Sequence, residues 1–328
     1  MTKWYNWVTF DIFGDLCFGE SFQCVEKVSH HPWVSTLFDS MKLASLTMAT
    51  RRQPLLKTIS KFFIPGSLLE RVQAHNQLVT ERSREEEKSI PITSSAAILI
   101  IAGSETTGTV LSGLTYRLLQ NPEVLRRLVK MIRETFASED QINIEGVSNL
   151  TYLLAVLHES MRIYPPHHST STNHWPDGDI VCGKWIPAKT TVAVNNWAAF
   201  RSARNFTDPD KFIPERFMGD SRYASDNFDA FQPFSLGPRR NCIGRHLAYA
   251  EMLLTITRIL WNFDLELCDG MDKWDQQKIY LLWQKICRER CDVAADASRV
   301  WNQCKLRIVC SEMNLPRALD ISPFLHLA

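Results

Sequence analysis

Apolar positions along this chain recur mainly every three or four residues, the spacing of one face of an α-helix. Near the amino end, Trp4, Val8, Ile12 and Leu16 form one such row. Prolines and glycines interrupt the pattern at intervals, where helices are expected to stop. Helices are predicted over 4–18, 32–50, 67–84, 93–119, 122–138, 150–163 and 245–262. The pattern therefore predicts a mainly α-helical protein.

Strand patterns are short and fall in the middle of the chain. Asp179–Trp185 and Thr190–Asn195 read as two strands, and the residues Ile186–Lys189 between them read as a turn. A hairpin is the simplest arrangement of these segments. The expected fold is thus mainly α, with small β-sheets.

Composition and charge narrow the functional class. The chain has 328 residues, of which 45% are hydrophobic and 22% charged, and its net charge is +1. That length supports a large core, and the balanced charge gives no reason to expect a nucleic-acid partner. No run approaches ~18 consecutive apolar residues, and Asp11, Gly14 and Asp15 interrupt the place of a signal peptide. The nine cysteines are therefore expected as reduced thiols.

One cysteine lies in a distinctive setting. Cys242 is part of FSLGPRRNCIG (Phe234–Gly244), just ahead of the predicted helix Arg245–Asn262. The free N–H groups of a helix N-terminus favour a thiolate, and Gly237 and Gly244 permit a close approach by a partner. Such a thiolate suits a haem iron. A buried cysteine in an ordinary turn is the alternative for this segment taken alone.

A second chemical pattern lies inside the predicted helix 93–119, at AGSETT (Ala102–Thr107). Gly103 within a helix costs about 1 kcal/mol relative to alanine, which suggests that its space is needed. Glu105 beside Thr106 places a carboxylate next to a hydroxyl, a pair that can hold waters and relay protons. The alternative is an ordinary helical glycine with polar surface neighbours.

A third pattern is the pair Glu159 and Arg162, which lie three residues apart and can meet on one helical face. Exposed, such a pair contributes little, but a buried pair joined by another arginine forms a structural clamp.

These segments, in this order, closely resemble the motifs of the cytochrome P450 family in its fungal microsomal form. The resemblance covers roughly residues 4–285, about the C-terminal two-thirds of a typical member. It implies a truncated haem-thiolate fold that forms one partial haem domain over 1–285. Residues 286–328 would be an atypical tail, with disorder as one expectation.

The resemblance assigns a role to each motif. Cys242 would be the axial thiolate ligand of haem b, with Phe234, Gly237 and Gly244 as the rest of its loop. This loop has one residue more than the family pattern, so counting from Gly237 selects Arg239 as the partner of a haem propionate, and counting back from Cys242 selects Arg240. His174 would occupy the place of a second propionate-binding arginine.

On the oxygen side of the haem, the resemblance implies that Thr106 hydrogen-bonds bound dioxygen and that Glu105 connects to the proton supply. Gly103 would leave room for dioxygen. Glu159, Arg162 and Arg216 would form a structural triad that holds the cysteine loop in place.

The implied activity is a monooxygenase that inserts one oxygen atom from dioxygen into an apolar small molecule, in fungal secondary metabolism. NADPH-cytochrome reductase would supply the electrons. The family implies the endoplasmic reticulum membrane; a cytoplasmic location is the alternative, because this sequence encodes no anchor. Two other hypotheses are a non-catalytic remnant that does not hold haem, and a haem-thiolate isomerase or dehydratase that needs no reductase.

Overall fold

The computed structural model describes residues 1–19, 21–29, 90–167, 173–174, 177–237, 241–267, 271, 273–279, 283–284 and 306–309. The helices predicted over 32–50 and 67–84 lie outside the described residues, as do Arg239 and Arg240. The chain divides into two compact units. The first comprises residues 1–112, 273–306 and 312–328, and the second comprises 113–272 and 307–311.

The described residues are mainly helical, as predicted. Their α-helices are α1 (Thr2–Phe18), α2 (Ile90–Gln120), α3 (Pro122–Thr135), α4 (Ile144–Ser148), α5 (Thr151–Ile163), α6 (Asn196–Phe200) and α7 (Arg245–Asn262). Short 3-10 helices occur at Glu139–Gln141, Pro214–Met218, Ser221–Tyr223 and Phe228–Ala230. No described helix combines the length and the apolar character needed to cross a membrane.

In the first unit, α1 is buried on nearly all sides: every residue from Trp4 to Gly14 except Val8 is buried, including Tyr5, Phe10 and Ile12. Gly19 ends the helix in the left-handed conformation (φ 72°), and its N–H donates to the Asp15 carbonyl. Just beyond, the buried Asp11 carboxylate accepts the backbone N–H groups of Cys24 and Val25, at 2.9 and 2.8 Å. These bonds fold the chain back against the helix that it has just left.

The long helix α2 carries the AGSETT motif. It begins at Ile90 rather than Thr93, because Pro91 lies in the first turn, where its missing N–H is tolerated. It ends at Gln120, just before Pro122 starts α3. The boundary between the two units falls within this helix, between Ser112 and Gly113.

In the second unit, α5 is the central helix. Ten of its residues are buried, and it contacts the 3-10 helix Pro214–Met218 and the short helix α6. Helix α7 packs against α3 and α4. The predicted span of α7 is confirmed residue for residue. The predicted span of α5 is confirmed to within one residue, and its end is correct because Pro165 and Pro166 follow it.

The predicted hairpin between Asp179–Trp185 and Thr190–Asn195 is wrong in its pairing. Strand β2 (Asp179–Val181) pairs with β3 (Lys184–Ile186), because Cys182 and Gly183 both have positive φ (50° and 75°) and form a two-residue turn. Strand β4 (Thr191–Val192) pairs instead with β1 (Asn173–His174).

The remaining strands are also short. Strand β6 (Lys278–Ile279) pairs with β7 (Trp283–Gln284), and β5 (Asp264–Leu267) pairs with β8 (Leu306–Val309). The tail predicted over 286–328 therefore contributes one strand. Its other residues lie outside the described part of the chain.

Candidate functional site

Backbone hydrogen bonds shape the Cys242 loop. The N–H of Cys242 donates to the Phe234 carbonyl at 2.9 Å, and the N–H of Asn241 donates to the Gly237 carbonyl at 3.1 Å. Gly237 has φ 82°, a conformation that glycine adopts without a steric penalty. The loop thus closes on itself and presents Cys242 three residues before the start of α7 at Arg245.

The cysteine loop exposes both its thiol and two large apolar side chains. Cys242 is an exposed free thiol. Leu236 is 63% exposed and Ile243 is 92% exposed. A Cβ atom added at Gly244 would meet no atom of the described residues within 4 Å. The thiol is therefore exposed next to a backbone position with free space at its Cα.

The second unit contains a buried ion-pair network. Arg162 donates from Nε and Nη2 to the two carboxylate oxygens of Glu159, at 2.7 and 2.8 Å. Arg216 donates from Nε to Glu159 Oε1 at 3.2 Å. All three side chains are fully buried. The structure thus brings together Glu159, Arg162 and Arg216, as the sequence predicted.

The network also fixes irregular backbone. Arg162 donates to the carbonyl oxygens of Phe200, Pro209 and Lys211, at 2.7, 2.7 and 3.0 Å. Glu159 Oε1 accepts the backbone N–H of Ile213 at 2.8 Å. The buried charges therefore hold a segment with little regular secondary structure against α5.

Sequence reasoning missed a fourth member of this network. Nη1 of Arg216 contacts Oδ2 of Asp226, and Oδ1 of Asp226 accepts the N–H of Thr207 at 2.6 Å. Asp226 balances the second arginine, so the buried set holds two cations and two anions. The sequence gives no spacing signal for Asp226, because it follows Arg216 by ten residues of irregular chain.

The AGSETT motif lies in the first unit, where its side chains point in different directions. The Glu105 carboxylate is buried and accepts a hydrogen bond from the Asn6 amide at 2.8 Å. Thr106 is partly exposed, and its hydroxyl donates to the Ala102 carbonyl at 2.6 Å. A Cβ atom on Gly103 would overlap the ring of Phe13. Helix packing thus gives one reason for glycine at this position.

Comparison with known proteins identifies the family. The family model for cytochrome P450 matches residues 79–286, more than half of the chain. The chain belongs to the cytochrome P450 family.

Similar P450 proteins are fungal. The chain is 45% identical over 310 residues to cytochrome P450 monooxygenase lcsI of Purpureocillium lilacinum, 42% over 309 to astA of Talaromyces wortmannii and 41% over 311 to astJ of Aspergillus oryzae. Each match covers 87% of this chain and 60 to 62% of the relative. The chain thus spans about three-fifths of the length of these relatives.

The family implies a haem-thiolate cofactor, and the donor set of the Cys242 loop fits it. A haem-thiolate site needs one cysteine thiolate from the protein, and this loop has an exposed thiol together with the exposed apolar side chains of Leu236 and Ile243. Among the described residues, no three or more His, Cys, Asp or Glu side chains form a metal-binding group.

The structure also describes His174 and Phe234, two other residues predicted to bind the cofactor. Asn173 and His174 form β1, where His174 stands opposite Thr191. The ring of Phe234 packs against Tyr249, with 5.1 Å between centroids. The propionate-binding roles predicted for Arg239, Arg240 and His174 stay predictions.

The sequence analysis also missed an aromatic cluster around His158, which the ring of Tyr249 connects to Phe234 of the Cys242 loop. His158 Nε2 lies 2.9 Å from the Tyr249 hydroxyl, and the rings of Phe217 and Phe231 pack on His158 at 5.3 and 5.9 Å. Burial, with a smaller effect of the Arg245 charge, lowers the pKa of His158 to about 4. Because His158 directly precedes Glu159, the cluster links the loop to the ion-pair network.

Proposed function

We propose that this chain is the core of a haem-thiolate monooxygenase that oxidises an apolar small molecule. The observation that carries the proposal is the exposed thiol of Cys242 in a closed glycine loop directly before α7. Family membership and the printed activity of similar fungal proteins support it.

In this proposal, Cys242 is the protein ligand of haem b. The exposed side chains of Leu236 and Ile243 supply apolar contact surface for the haem. Bound haem activates dioxygen, so that one oxygen atom enters the substrate and the other leaves as water, with two electrons and two protons consumed.

Two residues of α2, Thr106 and Glu105, deliver the protons that this reaction consumes. The Thr106 hydroxyl is accessible and can exchange its bond to Ala102 for one to a bound oxygen species or a water. Glu105 is a buried carboxylate one residue away, and it can pass protons inward. Glu159, Arg162 and Arg216 take no part in the chemistry and keep the segment before the loop fixed.

The electron donor in this proposal is an NADPH-cytochrome reductase that docks on the side of the cysteine loop, and the working location is the endoplasmic reticulum membrane. The substrate class is an apolar product of fungal secondary metabolism. Family resemblance supports these three assignments.

The decisive experiment is spectroscopic. The 328-residue chain is expressed with haem supplied, reduced and exposed to carbon monoxide, and a strongly red-shifted Soret band is expected from thiolate ligation. Cys242→Ser should abolish that band. Cys182→Ser is the matched control, because Cys182 is also an exposed free cysteine of the second unit.

The outcomes separate the hypotheses. A band that survives Cys242→Ser would assign the ligand elsewhere. A wild-type chain without the band would favour a remnant that does not hold haem. A normal band with no NADPH consumption in the presence of a reductase would favour the isomerase or dehydratase hypothesis.

A further inference from the structure

Helices α1 and α2 approach closely because glycines line their contact. A Cβ atom at Gly103 would overlap the Phe13 ring, and one at Gly108 would overlap the Asn6 amide oxygen. The two α1 side chains therefore fill the space that the two α2 glycines leave. Both helix segments belong to the first unit.

Reciprocal hydrogen bonds fix the register of this contact. The Thr9 hydroxyl donates to the Ser104 carbonyl at 3.0 Å, and the Ser104 hydroxyl donates to the Thr9 carbonyl at 3.3 Å. Both residues are fully buried. Sliding one helix along the other would break both bonds. Such a shift is unfavourable, because a buried polar group is costly to leave unpaired.

The same contact holds the Glu105 carboxylate. Nδ2 of Asn6 donates to Oε2 of Glu105 at 2.8 Å. Asn6 is 8% exposed and Glu105 is 4% exposed, so this bond lies in a largely dry interior. The Asn6 amide spans the contact, with its oxygen beside Gly108 and its nitrogen on Glu105. Its orientation is thus set by packing as well as by hydrogen bonding.

The adjacent hydroxyl is held differently. Thr106 bonds to Ala102 within its own helix and is partly exposed. Of the two side chains, the carboxylate is thus the one that is bonded across the interface to α1. A change in α1 can therefore alter Glu105 without touching Thr106.

We propose that Asn6 is a positioning residue that sets the orientation of the Glu105 carboxylate. Its importance for turnover rests on the proposed monooxygenase function. A carboxylate that relays protons must start from one defined orientation, and pre-organisation by a neighbouring side chain provides it. Asn6 touches neither substrate nor haem in this proposal and acts only through Glu105.

The first test needs no haem. Asn6→Asp places two carboxylates together and should raise the unfolded-to-folded ratio at pH 7 by about tenfold or more. Adding Glu105→Gln reverses donor and acceptor, so the double variant should return to within about threefold of wild type. Urea unfolding measures both. A double variant as unstable as Asn6→Asp alone would overturn the proposed contact.

The second test separates positioning from simple packing. Asn6→Ala and Thr9→Val each remove one hydrogen bond between α1 and α2, but only the first touches Glu105. With NADPH, a cytochrome reductase and an apolar probe that the wild-type chain oxidises, Asn6→Ala should release at least about threefold more hydrogen peroxide per NADPH consumed than wild type. Thr9→Val should match wild type. The carbon monoxide band should be unchanged in both variants.

The results also distinguish this proposal from the proposed function. Equal peroxide yields in Asn6→Ala and Thr9→Val would overturn the positioning role. A wild-type chain without the thiolate–haem band would instead refute the monooxygenase function. In that case the unfolding cycle would still decide whether Asn6 orients Glu105.

Discussion

The imidazole Nε2 of His158 lies 2.9 Å from the hydroxyl oxygen of Tyr249, so a hydrogen bond joins α5 to α7. Burial raises the pKa of Tyr249, and burial together with the Arg245 charge lowers the pKa of His158 to about 4. The phenol therefore keeps its proton at neutral pH and can donate it to an uncharged imidazole. This bond stands one residue from the buried Glu159.

The His158 environment predicts an acid-sensitive fold. The folded pKa of about 4 lies below the unfolded value of 6.5, so the unfolded chain binds the proton more readily. The stabilising contribution is present above pH 6.5 and is lost as the pH falls toward 4, to a total of about 3 kcal/mol. Urea unfolding between pH 8 and pH 4 measures this loss.

His158→Gln provides the control for this prediction, because its amide oxygen can accept the Tyr249 hydrogen bond but does not titrate. Its stability should fall less steeply between pH 6.5 and 4 than that of wild type. Parallel curves for the two proteins would assign the acid sensitivity to other groups.

Loss of the Asp226 side chain is predicted to reduce the free energy of unfolding as much as loss of Glu159 or Arg162. Asp226→Ala leaves two buried arginines with one carboxylate, and breaking a buried ion pair costs about 3–5 kcal/mol. Asp210→Ala is the matched control, because its pair with Arg201 is exposed and contributes at most about 1 kcal/mol. Thermal unfolding of both variants makes the comparison; equal effects would show that the buried charge of Arg216 is compensated elsewhere.

Two glycines of the cysteine loop should respond differently to alanine. No atom of the described residues lies within 4 Å of a Cβ added at either position, but Gly237 has φ 82° and Gly244 has φ −84°. Gly237→Ala should cost about 1–2 kcal/mol through backbone strain. Gly244→Ala should cost about 0.5 kcal/mol or less as an N-cap change, yet it should weaken haem binding by narrowing the approach to Cys242. Unfolding and haem titration test the two effects separately.

The sequence predicted the features that depend on short spacings. Glu159 and Arg162 meet because residues three apart share a helical face, and α7 begins and ends where its pattern does. The Asp226 contact and the Asn6–Glu105 bond were missed because they depend on tertiary packing; the latter joins residues 99 apart. The β2–β3 turn was missed because Cys182 and Gly183 lie inside a run that reads as one strand.

Two different reasons for a glycine can be stated at position 103: helix packing and the predicted space for dioxygen. The sequence interpretation assigns its space to dioxygen, whereas Phe13 of α1 fills the place of its missing Cβ. The packing reason is sufficient to explain a glycine at a cost of about 1 kcal/mol. The dioxygen role is a separate prediction that depends on the haem.

Thr106 and Thr107 offer a matched pair for the last prediction. Both hydroxyls donate to the carbonyl four residues earlier, Ala102 for Thr106 and Gly103 for Thr107, at 2.6 and 2.9 Å. Thr106 is partly exposed, whereas Thr107 is buried. Replacing either with valine removes the same local bond, so a difference in turnover must come from the direction in which the hydroxyl points.

Thr106→Val should retain the thiolate–haem band and consume NADPH, but it should release at least about threefold more hydrogen peroxide per NADPH than wild type. The physical reason is that the proposed function assigns the proton-donating hydroxyl to Thr106, and valine has no hydroxyl. Thr107→Val should keep the wild-type yield, because its hydroxyl points into the helix packing. If the two variants released equal amounts of peroxide, the helix bond and not the accessible hydroxyl would control coupling.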